Sequence, residues 1–460
     1  MKYDYTQRFY SSYPKLSRQS MTYTYAQKAR KILRIAVPSG ANSLLDIIVL
    51  TLGVFFMGKF GEWHLVALSV SMQFIMLFFA INAVFYIGTN AQISRLYGAR
   101  DSLAAQRVFS TLITLCLVCA LPIVGLAYAG VMPFLAWMDI SQEASALAAD
   151  FLYIVIWTIP AMLLKNIITS AFAAIGDTIS VFIVRVFSTA FCVGANIALI
   201  FGAGLEIVGA GLASVLTSAV ELVLFALLVW KKGKFFCVKW QFAMVGAYVR
   251  RALRIGIPAG LERLLTLSSF VLTIKFIAGF GDLAVAGSQI GARIESFAFM
   301  PGFGFMVAAM ALTGQNLGAN RIQTAIELHK TILQISCVIM GGLGVIMAVF
   351  AKPLSAIFYH DEVVITISAW YLLAVGFSQV PLVVVFVLDG VLRGAGITKL
   401  SLLINALSIW CVRIAPMWLG IRLGLPVWWV FVMIFVETYI RAGLFYLAYK
   451  KGAWQRKKLA

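Results

Sequence analysis

The sequence predicts an all-α integral membrane protein of twelve transmembrane helices arranged as two pseudo-symmetric six-helix lobes. Three observations carry this expectation. The 460 residues are 62% hydrophobic and only 12% charged, with a mean hydropathy of +0.94, whereas a soluble domain carries about 25% charged residues. Apolar stretches of roughly eighteen residues or more, each able to cross a hydrocarbon core as a helix, recur about twelve times. The first half of the chain also aligns on the second without gaps.

Residues 1–30 are polar and rich in Tyr and Ser, without the apolar core of a cleavable signal. They are expected to be a disordered cytoplasmic tail, with Met21 an alternative start. The first lobe, 31–230, holds spans near 33–57, 64–94, 108–133, 145–172, 178–202 and 207–230. Residues 231–250, which open with "KKGKFFCVKWQF", form a cytoplasmic linker. The second lobe, 251–449, holds spans near 253–278, 283–314, 328–351, 365–392, 398–420 and 425–449, and 450–460 is a basic tail.

A formal net charge of +19 would suggest a nucleic-acid partner in a soluble chain, but here its distribution follows the positive-inside rule. The bases gather in every second connection: Lys2 to Arg34, "RLYGARDSLAAQR", the linker, "GANRIQ", "RGAGITK" and "KKGAWQRKK". The alternate connections keep Lys59, Lys352 and Arg422 and carry the acidic "WMDISQE" and "FYHDE". This alternation requires an even number of spans with both termini in the cytoplasm.

The internal repeat has an offset of 220 residues. "RKILRIAVPSGANSLLD" from Arg30 lines up on "RRALRIGIPAGLERLLT" from Arg250, placing Pro38 opposite Pro258, Gly98 opposite Gly318 and Gly176 opposite Gly396. Both halves begin on the same side, so they are parallel repeats about an axis along the membrane normal, and substrate in such folds passes between the lobes. In the first span Ser39, Asn42, Ser43, Asp46 and Gly53 form one polar or small stripe. Glu262, Thr266, Ser269 and Thr273 form the matching stripe in the seventh. Small residues in such stripes allow close helix packing, but an acid inside a bilayer is by default functional. Asp46 is therefore a candidate coupling group, since desolvation disfavours its charged form, with Asn42 one turn earlier able to hydrogen-bond it.

"SFAFMPGFGFMVAAMALTGQNLGANR" (296–321), "VLRGAGITK" (391–399) with "WCVRIAP" downstream, and "IGDT" followed by "GAGLAS" resemble the multidrug and toxic compound extrusion (MATE) family of the MOP flippase superfamily over roughly residues 30–450. The resemblance implies a two-lobed carrier that alternates between inward-open and outward-open states and exports amphipathic, often cationic, molecules in exchange for H+ or Na+. Two family acids are missing. Gly53 marks the first-helix motif in which many members carry an aspartate five residues earlier, and Asn196 and Ile197 stand where many have Asp-Pro. Asp46, two turns before Gly53 on the same face, is a relocated carboxylate read from the stripe and not carried over from the family; with Asn42 and Asn196 it makes the candidate cation-coupling set. "IPAGLERLL" and "IGARIESFAFMPG" fit one bacterial branch, and Glu262, Thr266, Ser269, Arg293, Glu295 and Met300 are expected to line the substrate cavity. Asp389 and Arg393, four residues apart near a helix end, can pair as a gating or structural couple. Lys165, Arg185, Lys275 and Arg441 are expected to snorkel or pair, while Glu221 and Glu437 have no assignable partner.

No catalytic residue and no metal site is expected. "CLVC" at 116–119 reads as two small residues of a spanning helix, and His64, His329 and His360 fall at or near loops without ligand spacing. No cofactor is expected beyond the coupling ion, and no GxxxxGK[ST] motif supports ATP-driven pumping. The expected partners are a small-molecule substrate and the lipid bilayer of the bacterial cytoplasmic membrane, with the chain a monomer and no nucleic acid bound. A flippase of lipid-linked saccharide is the alternative, kept open by Arg185, Arg263, Lys275 and Arg293, because such carriers favour a cationic cavity. A membrane-embedded enzyme is a third reading, lacking a converging set of acids with a His, Ser or metal.

Overall fold

The structure, a computed structural model, describes residues 24–231 and 245–456. In chain order the long helices are α1 Tyr25–Met57, α2 Glu62–Gly98, α3 Ser102–Met138, α4 Gln142–Ile175, α5 Thr178–Gly202 and α6 Glu206–Lys231. The second six are α7 Gly246–Ala278, α8 Asp282–Gly318, α9 Ile322–Val349, α10 Glu362–Gly394, α11 Thr398–Arg422 and α12 Trp428–Lys450. Eleven of them are both long and apolar enough to cross a membrane among the described residues. The twelfth, α7, has 33 residues and carries Glu262–Arg263 mid-helix. The all-helical, two-lobed fold expected from the sequence is what the chain adopts.

The lobe boundaries differ in detail from those expected. α1 begins at Tyr25, where the Thr24 side chain and Gln27 form a reciprocal capping box that satisfies two of the orphan N–H groups of a helix start. The expected tail thus gives up its last six residues to helix. α7 likewise takes in 246–250 of the expected linker. Residues 1–23, 232–244 and 457–460, which hold the rest of both tails and the linker, lie outside the described residues. After α12, Trp454 in the short helix Ala453–Arg456 is fully buried and stacks on Tyr449 at 5.4 Å.

The 220-residue repeat is written into the backbone. Left-handed turns recur at Gly61 and Gly281, Arg100 and Asn320, Gly176 and Gly396, and Gly204 and Gly424, each pair 220 apart. Thr178 donates to the Ile35 carbonyl, and Thr398 donates to the Ile255 carbonyl, the same contact in the two lobes. Prolines recur inside the helices at Pro38 in α1 and Pro258 in α7, where the missing N–H removes a bond from the helical ladder.

The lobes meet at the end that carries both termini. The first half of α1 packs Ile32, Ile35 and Ala36 into the second lobe's core, and Ala252 of α7 packs into the first lobe's. Glycines make the approach reciprocal. Gly98 meets the Gln315 carbonyl and Gly318 meets the Arg95 carbonyl, while Gly256 meets Val84 and Gly304 meets Ala36. Each contact is the 220-residue image of its partner. Lys28 of α1 adds an ion pair to Glu327 of α9 at 2.7 Å. Backbones this close leave no room for a side chain, which is how helices associate where lipid supplies no hydrophobic drive.

Candidate functional site

Beyond the seal, the lobes enclose two adjoining cavities of about 650 Å³ and 760 Å³ that share Phe79, Tyr86, Asn166, Phe303 and Met306. The first follows α1 from Ser39 to Met57. The second follows α7 from Ala259 to Ile277. Both therefore run to the ends of these helices that lie away from the termini.

The α1 stripe of Ser39, Asn42, Ser43, Asp46 and Gly53 faces the first cavity, together with Asn196. The expectation that Asp46 is desolvated among apolar side chains is corrected. Its side chain is 67% exposed to the cavity and paired with Arg185 of α5, because helical spacing turns the stripe to the open side. Arg185 also holds Glu221 of α6 at 3.0 Å, and Lys165 of α4 holds the other Glu221 oxygen at 3.2 Å. Two acids and two bases thus cancel in one chain of contacts joining four helices. The Asn42 side-chain oxygen is buried without a partner, so it accepts no proton from Asp46. Asn196 is engaged by its own helix, donating to the Cys192 carbonyl at 2.7 Å.

The α7 stripe of Glu262, Thr266, Ser269 and Thr273 faces the second cavity with Glu295 and Met300 of α8. The three hydroxyls are satisfied along the helix: Thr266 donates to the Glu262 carbonyl, Ser269 to Thr266 and Thr273 to Ser269. Glu262 accepts from Arg393 at 2.6 Å and from Asn405 at 2.9 Å. Arg393 pairs with Asp389 at 2.6 Å, and Ser401 donates to Asp389. The expected couple is therefore joined to the cavity acid through one shared guanidinium, rather than standing apart at a helix end.

Arg293 is the residue that the sequence pattern misplaces. It is exposed and is not part of the cavity wall. Two residues along a helix turn the side chain by roughly 200°, so when Glu295 faces inward Arg293 faces out. Glu295 is buried and accepts from the Tyr371 hydroxyl at 2.5 Å. Among the described residues it pairs with no base. Phe299, Phe303 and Phe386 line the same wall, with the Phe303 and Phe386 rings 5.0 Å apart and nearly parallel.

Sequence reasoning missed the partners of the isolated acids. Glu437, fully buried, takes Arg413 at 2.5 Å and Arg441 at 3.1 Å. Glu221 takes Lys165 and Arg185. Arg441, four residues after Glu437, was legible as a helix pair; for the others the signal was the rule that an intramembrane charge needs a counter-charge, but separations of 24 to 56 residues hide which base answers which acid. His329 is corrected too. It lies in α9, almost wholly buried, hydrogen-bonded to Thr313 at 2.7 Å. Among the described residues no group of three or more His, Cys, Asp or Glu side chains could hold a metal.

The charged residues on the cavity walls, with Glu437 behind them, comprise six acids and six bases. The first cavity has Asp46 and Glu221 with Lys165 and Arg185. The second has Glu262, Glu295, Asp389 and Glu437 with Arg263, Arg393, Arg413 and Arg441. Of the bases that suggested a cationic cavity, Arg185 is cancelled by acids, Arg293 faces out and Lys275 lines neither wall.

Comparison with known proteins agrees with this architecture. The chain is 22% identical over 440 residues to the "Probable multidrug resistance protein NorM" of Thermotoga maritima, covering 93% of each chain. It is 23% identical to the "Multidrug export protein MepA" of Staphylococcus haemolyticus, covering 80% of this chain and 81% of that one. Its fold superposes on the Vibrio cholerae MATE transporter VcmN in the bent form with a TM-score of 0.87 at 22% identity, covering 93% of this chain and 97% of that one. A MOP superfamily transporter from Pyrococcus furiosus gives a TM-score of 0.87 at 18% identity, covering 94% and 97%. The MatE family matches residues 38–220 and again 258–419, two stretches whose starts are 220 residues apart, one in each lobe, and the chain belongs to the MATE family of membrane transporters.

Proposed function

We propose that this chain is a secondary antiporter that exports small amphipathic, chiefly cationic organic molecules in exchange for protons, by alternating access between its two lobes. One observation carries the reading. A cavity walled by both lobes and lined with aromatic and Met side chains presents Glu295, a buried acid with no paired base among the described residues. An aromatic cation stacked on Phe303 and Phe386 gains about 0.5–2 kcal/mol from ring quadrupoles and meets a carboxylate beside them. The names of the relatives, "multidrug resistance" and "multidrug export", support the same substrate class.

The alternating Lys/Arg bias supports a cytoplasmic position for the sealed end, in a bacterial inner membrane. The cavities in this state then face outward, the state that releases substrate. Both lobes belong to one chain, so a monomer suffices. Coupling rests on Asp46, which the cavity can reach. A proton arriving there removes its charge and leaves Arg185 to Glu221 alone, so the four charged residues of the first cavity go from neutral to one positive charge. That added charge repels a bound cation towards the exit, and loss of the proton restores the cation's site. Sodium fits less well, because it needs several oxygens at one point.

The test is uptake of a fluorescent aromatic cation by proteoliposomes holding the purified chain. The proposal expects accumulation when a pH gradient is imposed without sodium. No accumulation under pH or sodium gradients, with the protein folded and inserted, would remove the export reading.

A further inference from the structure

The outer sides of the pseudo-equivalent helices α1 and α7, and of α5 and α11, follow the 220-residue repeat with one change of charge. On α7 an exposed row runs Arg250, Arg254, Ile257, Leu261 and Leu264. Its image on α1 opens with Arg30, Arg34 and Val37, likewise exposed. On α11 the exposed row is Lys399, Leu403 and Leu407, each four residues from the last, and its image on α5 is Ile179, Ile183 and Phe187. Lys399 is thus the one base in these rows without a counterpart in the other lobe. The two rows of the second lobe adjoin where α7 and α11 are tied together. Thr398 donates to the Ile255 carbonyl at 2.6 Å, and Lys399 and Arg254 are the chain neighbours of the two bonded residues. Arg250 stands one turn, about 6 Å, nearer the start of α7. None of the three bases pairs with a carboxylate among the described residues, and none lines either cavity.

We propose that the groove between α7 and α11 binds one anionic phospholipid, its phosphate held by Arg250, Arg254 and Lys399 and its chains laid along the two aliphatic rows. Charge complementarity selects the occupant. Three cations unanswered by protein acids, gathered at one end of the groove, match a phosphate diester, to which a guanidinium donates two parallel N–H···O bonds. Ile257, Leu261, Leu403 and Leu407, all exposed, continue the groove as apolar surface that suits acyl chains. A free anion would leave that surface uncovered, and a zwitterionic lipid would bring its own ammonium beside the bases. The bases lie at the end that carries both termini, the side that the Lys/Arg bias assigns to the cytoplasm, where anionic headgroups set a negative surface potential. α7 also belongs to the seal, with Gly256 against Val84 of α2, so a lipid tying α7 to α11 holds the second lobe's share of the seal as one piece. The first-lobe groove, with Ile179 in place of a third base, holds such a lipid less tightly. The site lies outside both cavities and does not depend on what they carry.

The experiment measures retention of tail-labelled phosphatidylglycerol, against tail-labelled phosphatidylcholine, by the full chain in nonionic detergent micelles. The wild-type protein should prefer phosphatidylglycerol about tenfold or more, each base contributing roughly fivefold. Lys399→Ile, which installs the side chain already present at its repeat image, should cut the preference about fivefold, and Arg254→Gln should do the same. Ile179→Lys supplies the missing base of the first lobe and should add a second tightly held lipid per chain. Lys450→Gln combined with Lys451→Gln, at the same end but on α12 and just past it, should leave the preference unchanged. A preference that survives both Lys399→Ile and Arg254→Gln would overturn the proposal by placing the lipid elsewhere. An equal loss from the Lys450 and Lys451 substitutions would overturn it too, reducing the effect to general attraction by a basic surface. Equal retention of phosphatidylcholine, or displacement of phosphatidylglycerol by free inorganic phosphate, would likewise rule out an anionic-lipid site.

Discussion

A methyl group at Gly40 should push the carrier out of the state seen here. A Cβ built on Gly40 of α1 stands 2.9 Å from the Met300 carbonyl oxygen of α8, half an ångström inside the ordinary contact distance of 3.4 Å. Its repeat image, Gly260, would place a Cβ 2.6 Å from Val84 and 3.0 Å from the Ala80 carbonyl. At Gly40 the obstacle is backbone, which cannot rotate aside; at Gly260 it is the Val84 side chain first, with the Ala80 carbonyl behind it. Overpacking of this kind costs about 1–3 kcal/mol, and it is felt only while the lobes touch. The gain in helix propensity from Gly to Ala, roughly 0.5–1 kcal/mol, applies in both states and cancels. A bias of about 1–3 kcal/mol shifts a two-state equilibrium roughly 5–150-fold. The assay is alkylation of a single cysteine at position 269, in a background without the native cysteines, by an impermeant maleimide added on the side of the termini. Gly40→Ala and Gly260→Ala should each raise the labelling rate, while Gly342→Ala, whose Cβ would meet nothing within 4 Å, should not. If the two seal variants label at the wild-type rate while folding normally, the seal is not the closed gate of an alternating carrier.

Three other substitutions probe the charge network. Asp46→Asn should abolish pH-driven accumulation of a cation while leaving its equilibrium binding within a few-fold; preserved accumulation would move coupling to the second lobe. Glu262→Gln leaves Arg393 paired with Asp389 alone and adds one positive charge to the cavity, so KM should rise for cations and change little for a neutral analogue; equal effects on both would make Glu262 a packing residue. Glu437→Ala strands two arginines that it holds in a fully buried position, and loss of one partner of a buried pair costs about 3–5 kcal/mol. That variant should express poorly or melt well below wild type, and normal thermal stability would show that Arg413 and Arg441 find water instead.

The fold was legible because hydropathy and the repeat are both properties of the sequence read in order. Pro38 with Pro258 and Gly98 with Gly318 announced two related lobes, and the structure places the prolines inside matching helices and the glycines at close approach. The polar stripes were legible for the same reason, since residues three and four apart share a helix face. Arg293 lies two residues from Glu295, a spacing that puts the two side chains on opposite faces of α8. What could not be read was pairing across helices: Arg185 to Asp46 and Glu221 spans 139 and 36 positions, and Arg393 reaches Glu262 over 131. Local pattern carries no information on which distant base neutralises an acid. The exposure of Asp46 was hidden similarly, because the open side of its stripe is made by α4, α5 and α6.

The central claim is exchange of an organic cation for protons through the cavity between the lobes. It is tested most directly by following the pH of a weakly buffered medium as a fluorescent aromatic cation is added to purified carrier in proteoliposomes without sodium. The account predicts a proton movement opposite in direction to the cation, saturating with the cation's own KM and lost in Asp46→Asn. Cation transport with no proton movement, or one that starts only when sodium is supplied, would contradict it.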